Sequence, residues 1–195
     1  MTLPGPVVLA SGSPRRKELL ASLGIEFTVD VSHVDEDALT VDDPWETATG
    51  LARAKALAVA ARYPKAIVIG GDTVVALPTE NGYRQLAKPT SPQDAEAMLK
   101  SLSGARHAVI TGLALVFHDH QLVAHDTTWV EFRTLEQAEI TRYVQTGEPM
   151  DKAGAYAIQA GAKSFVAHRE GSLTNVIGLP LELLQKMIDK LTQTQ

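Results

Sequence analysis

Three times this chain sets a capping side chain directly before a proline: Ser13-Pro14, Asp43-Pro44 and Ser91-Pro92. A Ser or Asp side chain accepts from the orphan N–H groups of a first helical turn, and proline suits the first helical position because it has no N–H to lose. Asp43-Pro44-Trp45-Glu46 and Ser91-Pro92-Gln93-Asp94 extend the signal to a capping box, with an acid at the third position. Short apolar runs lie at residues 7–10, just before the first start, and at 66–70, between the second and third. Strands alternating with capped helices place the chain in the α/β class.

The same reading predicts the other elements. The helix from Ser13 puts Leu19, Leu20 and Leu23 on one face, and Gly24 stops it. Residues 26–31 alternate as a strand, and a long Ala-rich helix runs from Asp43 to about Arg62. The run at 66–70 stays extended to Leu77, where Glu80-Asn81-Gly82 turns the chain. The helix from Ser91 ends near Gly104, and residues 109–117 and 122–132 form a hairpin around His118-Asp119-His120. Thr134-Leu135-Glu136-Gln137 caps a helix to about Tyr143, residues 165–169 are a strand, and 180–191 are a final amphipathic helix. Residues 147–161, rich in Gly and Ala, carry no clear period. A length of 195 residues fits one domain spanning 1–195.

The net charge of -5 supplies no basic field for nucleic acid, so any anion must be held by a local group of cations. The absence of cysteine removes thiolate nucleophiles and Cys-ligated metals. No apolar run reaches the length of a membrane span, and the first ten residues lack a basic leader, so a soluble cytoplasmic protein is expected.

Leu9-Ala10-Ser11-Gly12-Ser13-Pro14-Arg15-Arg16-Lys17 joins a strand to a helix through small residues. Free N–H groups and the helix dipole gather there, which suits an anion, and Ser11 and Ser13 add hydroxyls. Arg15 and Arg16 oppose the dipole, a local cost that points to a ligand. The segment lacks the Gly-Lys-Ser/Thr ending of a Walker loop and the three glycines of a dinucleotide fingerprint. Farther on, Gly70-Gly71-Asp72 places an acid at the end of an apolar run, behind glycines that let a ligand approach the backbone. Asp72 fits two roles, a turn cap or a group that holds a divalent metal or orients water. Among Asp35, Glu36 and Asp37, one completes a metal site or all three form a solvated loop. Lys55 and Lys88 are either surface charges or point charges for phosphate.

Taken in order, these motifs resemble the Maf family of nucleotide pyrophosphatases over nearly the whole chain. The segment 9–20 is the strongest element. It is joined by Val34-Asp35-Glu36, Leu51-Ala52-Arg53-Ala54-Lys55-Ala56, Gly70-Gly71-Asp72-Thr73-Val74-Val75, Lys88-Pro89, Leu102-Ser103-Gly104 with His107, Glu148-Pro149-Met150-Asp151-Lys152-Ala153-Gly154-Ala155-Tyr156 and Val176-Ile177-Gly178-Leu179-Pro180. The resemblance implies a Maf/ITPase-like α/β fold: a mixed twisted β-sheet flanked by helices with a deep nucleotide cleft, commonly in a homodimer. It implies Mg²⁺- or Mn²⁺-assisted hydrolysis of nucleoside triphosphates to the monophosphate and pyrophosphate. By the same resemblance Asp72 activates water or holds the metal, Glu36 is a second carboxylate near it, and Ser11, Arg16, Lys55 and Lys88 grip the triphosphate. Arg15, Thr73 and Gln159 resemble the specificity positions of the branch acting on dTTP and UTP, and the Gln159 amide offers both a donor and an acceptor to a base edge. The alternatives are CTP, 7-methyl-GTP or a modified nucleotide such as 5-methyl-UTP, or a nucleotide-binding regulator of septum formation with little turnover. All of these require the cationic helix start and Asp72 to face one pocket.

Overall fold

The computed structural model describes residues 3–193. The expected span of 1–195 therefore includes residues 1, 2, 194 and 195, which lie outside the described residues. In chain order the elements are β1 (Val7–Leu9), α1 (Pro14–Ser22), β2 (Phe27–Val29), α2 (Pro44–Ala60), β3 (Ile67–Thr79), β4 (Gly82–Leu86), α3 (Pro92–Leu102), β5 (Arg106–Phe117), β6 (His120–Phe132), α4 (Gln137–Gln145), β7 (Val166–Glu170), α5 (Leu173–Ile177) and α6 (Leu181–Gln193).

The three capping prolines start α1, α2 and α3. The Ser13 side chain accepts from the Arg16 N–H, Asp43 from Trp45 and Glu46, and Ser91 from Asp94. Gly24 follows α1 with φ +69, a left-handed value that glycine takes without strain. The start of α4 falls two residues later than expected. Glu136, not Thr134, is its cap, and Glu139 reaches back to the Glu136 N–H at 3.2 Å. Strand β2 is shorter than the alternation at 26–31 suggested, while β4 and α5 are additional. The aperiodic stretch resolves into short helical turns at Glu148–Asp151, Ala153–Ala155 and Gly161–Phe165.

One mixed sheet runs in the order β2-β1-β3-β5-β6-β7, with β4 added to β3. The β1 strand is parallel to both neighbours, and all other pairs are antiparallel. Helix α2 covers one face: Ala52, Ala56 and Val59 meet Val8, Val68 and Val116, and Ala48 meets Val74 and Ile110. Helices α1 and α6 cover the opposite face over Leu9, Ile69 and Leu115, and α3 and α4 continue that layer over Val75 and Val109. The expected mixed α/β architecture with flanking helices is what the chain forms.

β3 has a different partner along each part of one edge. On that edge β1 pairs with Ile67–Ile69 and β4 with Val75–Thr79, whereas β5 pairs along the other edge from Val68 to Ala76. Residues 70–74 therefore have no strand on one side among the described residues, and the sheet is split there.

His107 in β5 is fully buried among Phe132 and Tyr156, with Nε2 at 2.9 Å from the Tyr156 hydroxyl. Burial pushes its imidazole down to about 4. The unfolded chain takes up this proton near pH 6.5 and the folded chain only near 4. The contribution to stability is thus full above pH 6.5 and is lost as pH falls toward 4, by about 3 kcal/mol in all. Urea unfolding at pH 7 and 4.5 should show most of this loss in the native protein and little of it in His107→Gln. Equal losses in both would assign the effect elsewhere.

Candidate active site

The site is built on both faces of β3 at the split. Side chains alternate along a strand, so Gly70, Asp72 and Val74 face α2, while Gly71, Thr73 and Val75 face α1 and α3.

On the first face, Lys55 lies on the buried stripe of α2 with Ala48, Leu51, Ala52, Ala56 and Val59. A lysine held at 8% exposure needs a partner, and it has two. Its Nζ is 2.6 Å from Asp72 Oδ1 and 2.8 Å from Glu36 Oε1. Asp72 is 9% exposed, so it is neither free in solvent nor sealed in dry core. Glu36 comes from the loop after β2. Partial burial raises its carboxyl, but the hydrogen bond and charge of Lys55, with Lys88 and Arg16, outweigh that and hold it below the ordinary glutamate range. Lys88 is exposed in the loop between β4 and α3, and its charge reaches Glu36 from there.

The second face carries Arg16. Its Nε donates to the Gly178 carbonyl at 2.8 Å, Nη1 to Ser11 Oγ at 3.2 Å and Nη2 to Thr73 Oγ1 at 3.0 Å. Burial lowers its pKa, with Arg15 adding to this, while the charges of Asp72 and Glu36 raise it. A guanidinium stays charged in proteins and has five N–H donors, so two remain for an anion. Arg16 and Asp72 lie on opposite faces of β3, and the charge of Asp72 reaches Arg16 there.

Arg15 points to another partner, Asp151, at 3.7 Å, and Asp151 also pairs with Lys152. Gln159 is exposed in the turn ahead of Gly161–Phe165, and among the described residues no hydrogen bond or ion pair joins it to the cluster. A separate groove of about 660 Å³ lies between the start of α2 and the β3–β4 hairpin, lined by Asp42, Asp43, Trp45, Tyr83 and Gln85 among others, and none of the cluster residues line it.

As the extended run to Leu77 implies, Asp72 lies inside its strand: the ladder with β5 continues past it to Ala76, and it owes its access to the split on the opposite edge. One expectation is corrected. Of the two glycines before Asp72, Gly70 does not admit a ligand, whereas Gly71 faces the Arg16 side chain. A Cβ at Gly70 would lie 2.2 Å from the Ala52 carbonyl oxygen, so that space belongs to α2. Close approach of the helix is what brings Lys55 to Asp72.

Thr111 and Asn175 also belong to the site and were not singled out from sequence, whereas Gly178 was named only as part of a family motif. Thr111 Oγ1 is 3.0 Å from Thr73 Oγ1 and donates to the Asn175 carbonyl at 2.9 Å. The Asn175 amide nitrogen donates to the Val109 carbonyl and to Thr128 Oγ1, each at 2.9 Å. Thr111, Thr128 and Asn175 are fully buried.

Fold and site together define a class: a mixed α/β protein that sets an ion-paired carboxylate cluster beside a helix-borne arginine, at a split in its sheet. The chain belongs to the Maf family, whose model, described as Maf-like protein, matches residues 6–191. It is 50% identical over 182 residues to a dTTP/UTP pyrophosphatase of Symbiobacterium thermophilum, covering 93% of this chain and 92% of the relative. It is 48% identical over 179 residues to one of Geobacter sulfurreducens, covering 91% and 92%. Among solved structures it is similar to a HAM1 protein from Coxiella burnetii, with a TM-score of 0.47, 17% identity, and coverage of 96% of this chain and 98% of that one.

Proposed function

We propose that this protein hydrolyses nucleoside triphosphates between the α and β phosphates, releasing the monophosphate and pyrophosphate, and that dTTP and UTP are its preferred substrates. The observation that carries this is the joining of Glu36, Lys55 and Asp72 at the split, with Arg16 and Lys88 close enough to act on Glu36. The relatives named above support the choice of dTTP and UTP.

In this reading Arg16, with two N–H groups to spare, and Lys55 and Lys88 bind the triphosphate and neutralise charge gathering on the leaving pyrophosphate. Asp72 orients water for attack on the α-phosphorus and accepts its proton. Lys55 stands between Glu36 and Asp72 and offsets the repulsion between the two carboxylates. Arg15, Thr73 and Gln159 are the specificity positions, Ser11 a phosphate contact. Glu36 and Asp72 would also hold Mg²⁺ or Mn²⁺. The described residues contain no cluster of three or more metal-binding side chains, which fits an ion that takes one or two carboxylates and completes its shell with water and substrate oxygens. Such an ion supplies charge neutralisation at the phosphates. We extend the proposal to a cytoplasmic homodimer without a stable nucleic-acid complex. The net charge of -5 fits the last point, and no helix among the described residues is long and apolar enough to cross a membrane.

The test is a pyrophosphate-release screen over dTTP, UTP, CTP and 7-methyl-GTP, with and without metal. UTP and dTTP should exceed the others by about 10-fold or more, and chelation should reduce the rate by at least about 100-fold. A preference for 7-methyl-GTP, or full activity in chelator, would overturn the substrate or the metal assignment respectively.

A further inference from the structure

We infer that Thr111 is a positioning residue that fixes the polarity of the Thr73 hydroxyl, making Thr73 an acceptor for an N–H of the bound base. The inference rests on the nucleotide reading proposed above.

The direction of each hydrogen bond follows from which atoms carry protons. A carbonyl oxygen only accepts, so the single Thr111 hydroxyl proton goes to Asn175 O at 2.9 Å. In the 3.0 Å contact between the two threonines, Thr111 must then accept and Thr73 must donate. Thr73 also accepts from Arg16 Nη2 at 3.0 Å. Its proton and one lone pair are thus committed, and what remains is one lone pair on a half-buried side chain at the split.

Ser11, on the other side of Arg16, is set the opposite way. Its oxygen accepts from the Ser13 N–H at 3.3 Å and from Arg16 Nη1 at 3.2 Å. Both lone pairs are used, and among the described residues its proton has no acceptor. Ser11 is therefore a donor, which is what a phosphate oxygen needs. Thr73 repels a phosphate oxygen and must face a ligand group that donates. The ring imide N–H of uracil or thymine is such a group, whereas the corresponding nitrogen of cytosine is a bare acceptor. Two hydroxyls flanking one guanidinium thus sort the ligand by end, phosphate toward Ser11 and base toward Thr73.

The experiment measures dissociation constants of the non-hydrolysable αβ-imido-UTP and αβ-imido-CTP by calorimetry, with pyrophosphate release from UTP in parallel. The native protein should bind the uridine analogue at least about 10-fold more tightly. Thr111→Val keeps the volume but lets the Thr73 hydroxyl rotate and donate, so the ratio should fall to within about 3-fold. Thr111→Ser retains the hydroxyl and should restore the ratio. Thr111→Cys, a weak donor of similar size, replaces the valine variant if that one does not fold. A merely structural role would weaken both analogues together and leave the ratio unchanged, which would overturn the inference. So would a native protein that binds both analogues equally, even with UTP turnover intact. Absent turnover with a ratio that responds to Thr111 would sink the hydrolase reading while sustaining this one, and no binding of either analogue would end both.

Discussion

Asp72→Asn is expected to slow pyrophosphate release from UTP by about 10³-fold, within the range general-base residues contribute, while nucleotide binding changes only a few-fold. The substitution keeps volume and shape at a position that is 9% exposed, so the split in the sheet should persist. Lys55 retains Glu36 at 2.8 Å as a partner and is not left as an uncompensated buried charge. Arg16 keeps its bonds to Ser11, Thr73 and Gly178, none of which involves Asp72. The cations proposed to bind phosphate thus survive, and only the proposed proton acceptor is gone. Single-turnover rates and calorimetry with αβ-imido-UTP separate the two effects. Activity within 3-fold of native would remove Asp72 from the chemistry, and a parallel loss of binding would recast it as a binding residue.

Gly112→Ala should cost about 3 kcal/mol of stability, at the upper end of ordinary overpacking, and lower the melting temperature by roughly 10 °C. Gly112 lies directly opposite Asp72 in the β3–β5 ladder, on the face that α2 covers. A Cβ there would sit 2.1 Å from the Ala48 carbonyl oxygen and 2.7 Å from the Thr49 nitrogen. Both are backbone atoms of a helix, and neither can rotate away. The helix must lift, and Lys55 lifts with it from its 2.6 Å contact with Asp72. Activity should therefore fall by up to about 100-fold at temperatures where the variant is still folded, because small displacements of positioned groups are expensive. Gly50→Ala is the control. It lies in the same helix with nothing within 4 Å of its added Cβ, and it should be neutral or slightly stabilising. Denaturant unfolding decides the point, and a change below 1 kcal/mol at Gly112 would mean that α2 packs more loosely than described.

Local chemistry made the helices legible. A cap before a proline constrains the backbone whatever surrounds it, and all three such pairs start helices. Lys55 was legible in principle. It occupies the place of an alanine in the Ala48, Ala52, Ala56 stripe, and a charge on an apolar stripe needs a buried partner. Which partner was hidden, because Glu36 and Asp72 reach it only through the packing of α2 on β3. Thr111 and Asn175 carried no sequence signal, since a threonine in a strand is ordinary and the register that sets Thr111 opposite Thr73 is a tertiary fact. Strand β4 escaped because Arg84 and Gln85 break its apolar pattern, although the turn before it was clear. The stretch at 147–161 is ordered by distant contacts, Gly154 against Val75 and the Gly154 N–H to the Ala87 carbonyl at 3.2 Å, and such order leaves no period to read.

The interruption along one margin of β3 has a mechanical consequence. Most proteins place their reactive groups on loops, which reach substrate easily and wander easily. Here Asp72 and Thr73 belong to a strand still laddered to β5 on its other margin, so displacing them means unzipping the interior of the domain. Accessibility comes from neighbours that stop short, and the Asp72 carboxylate keeps the stiffness of the core.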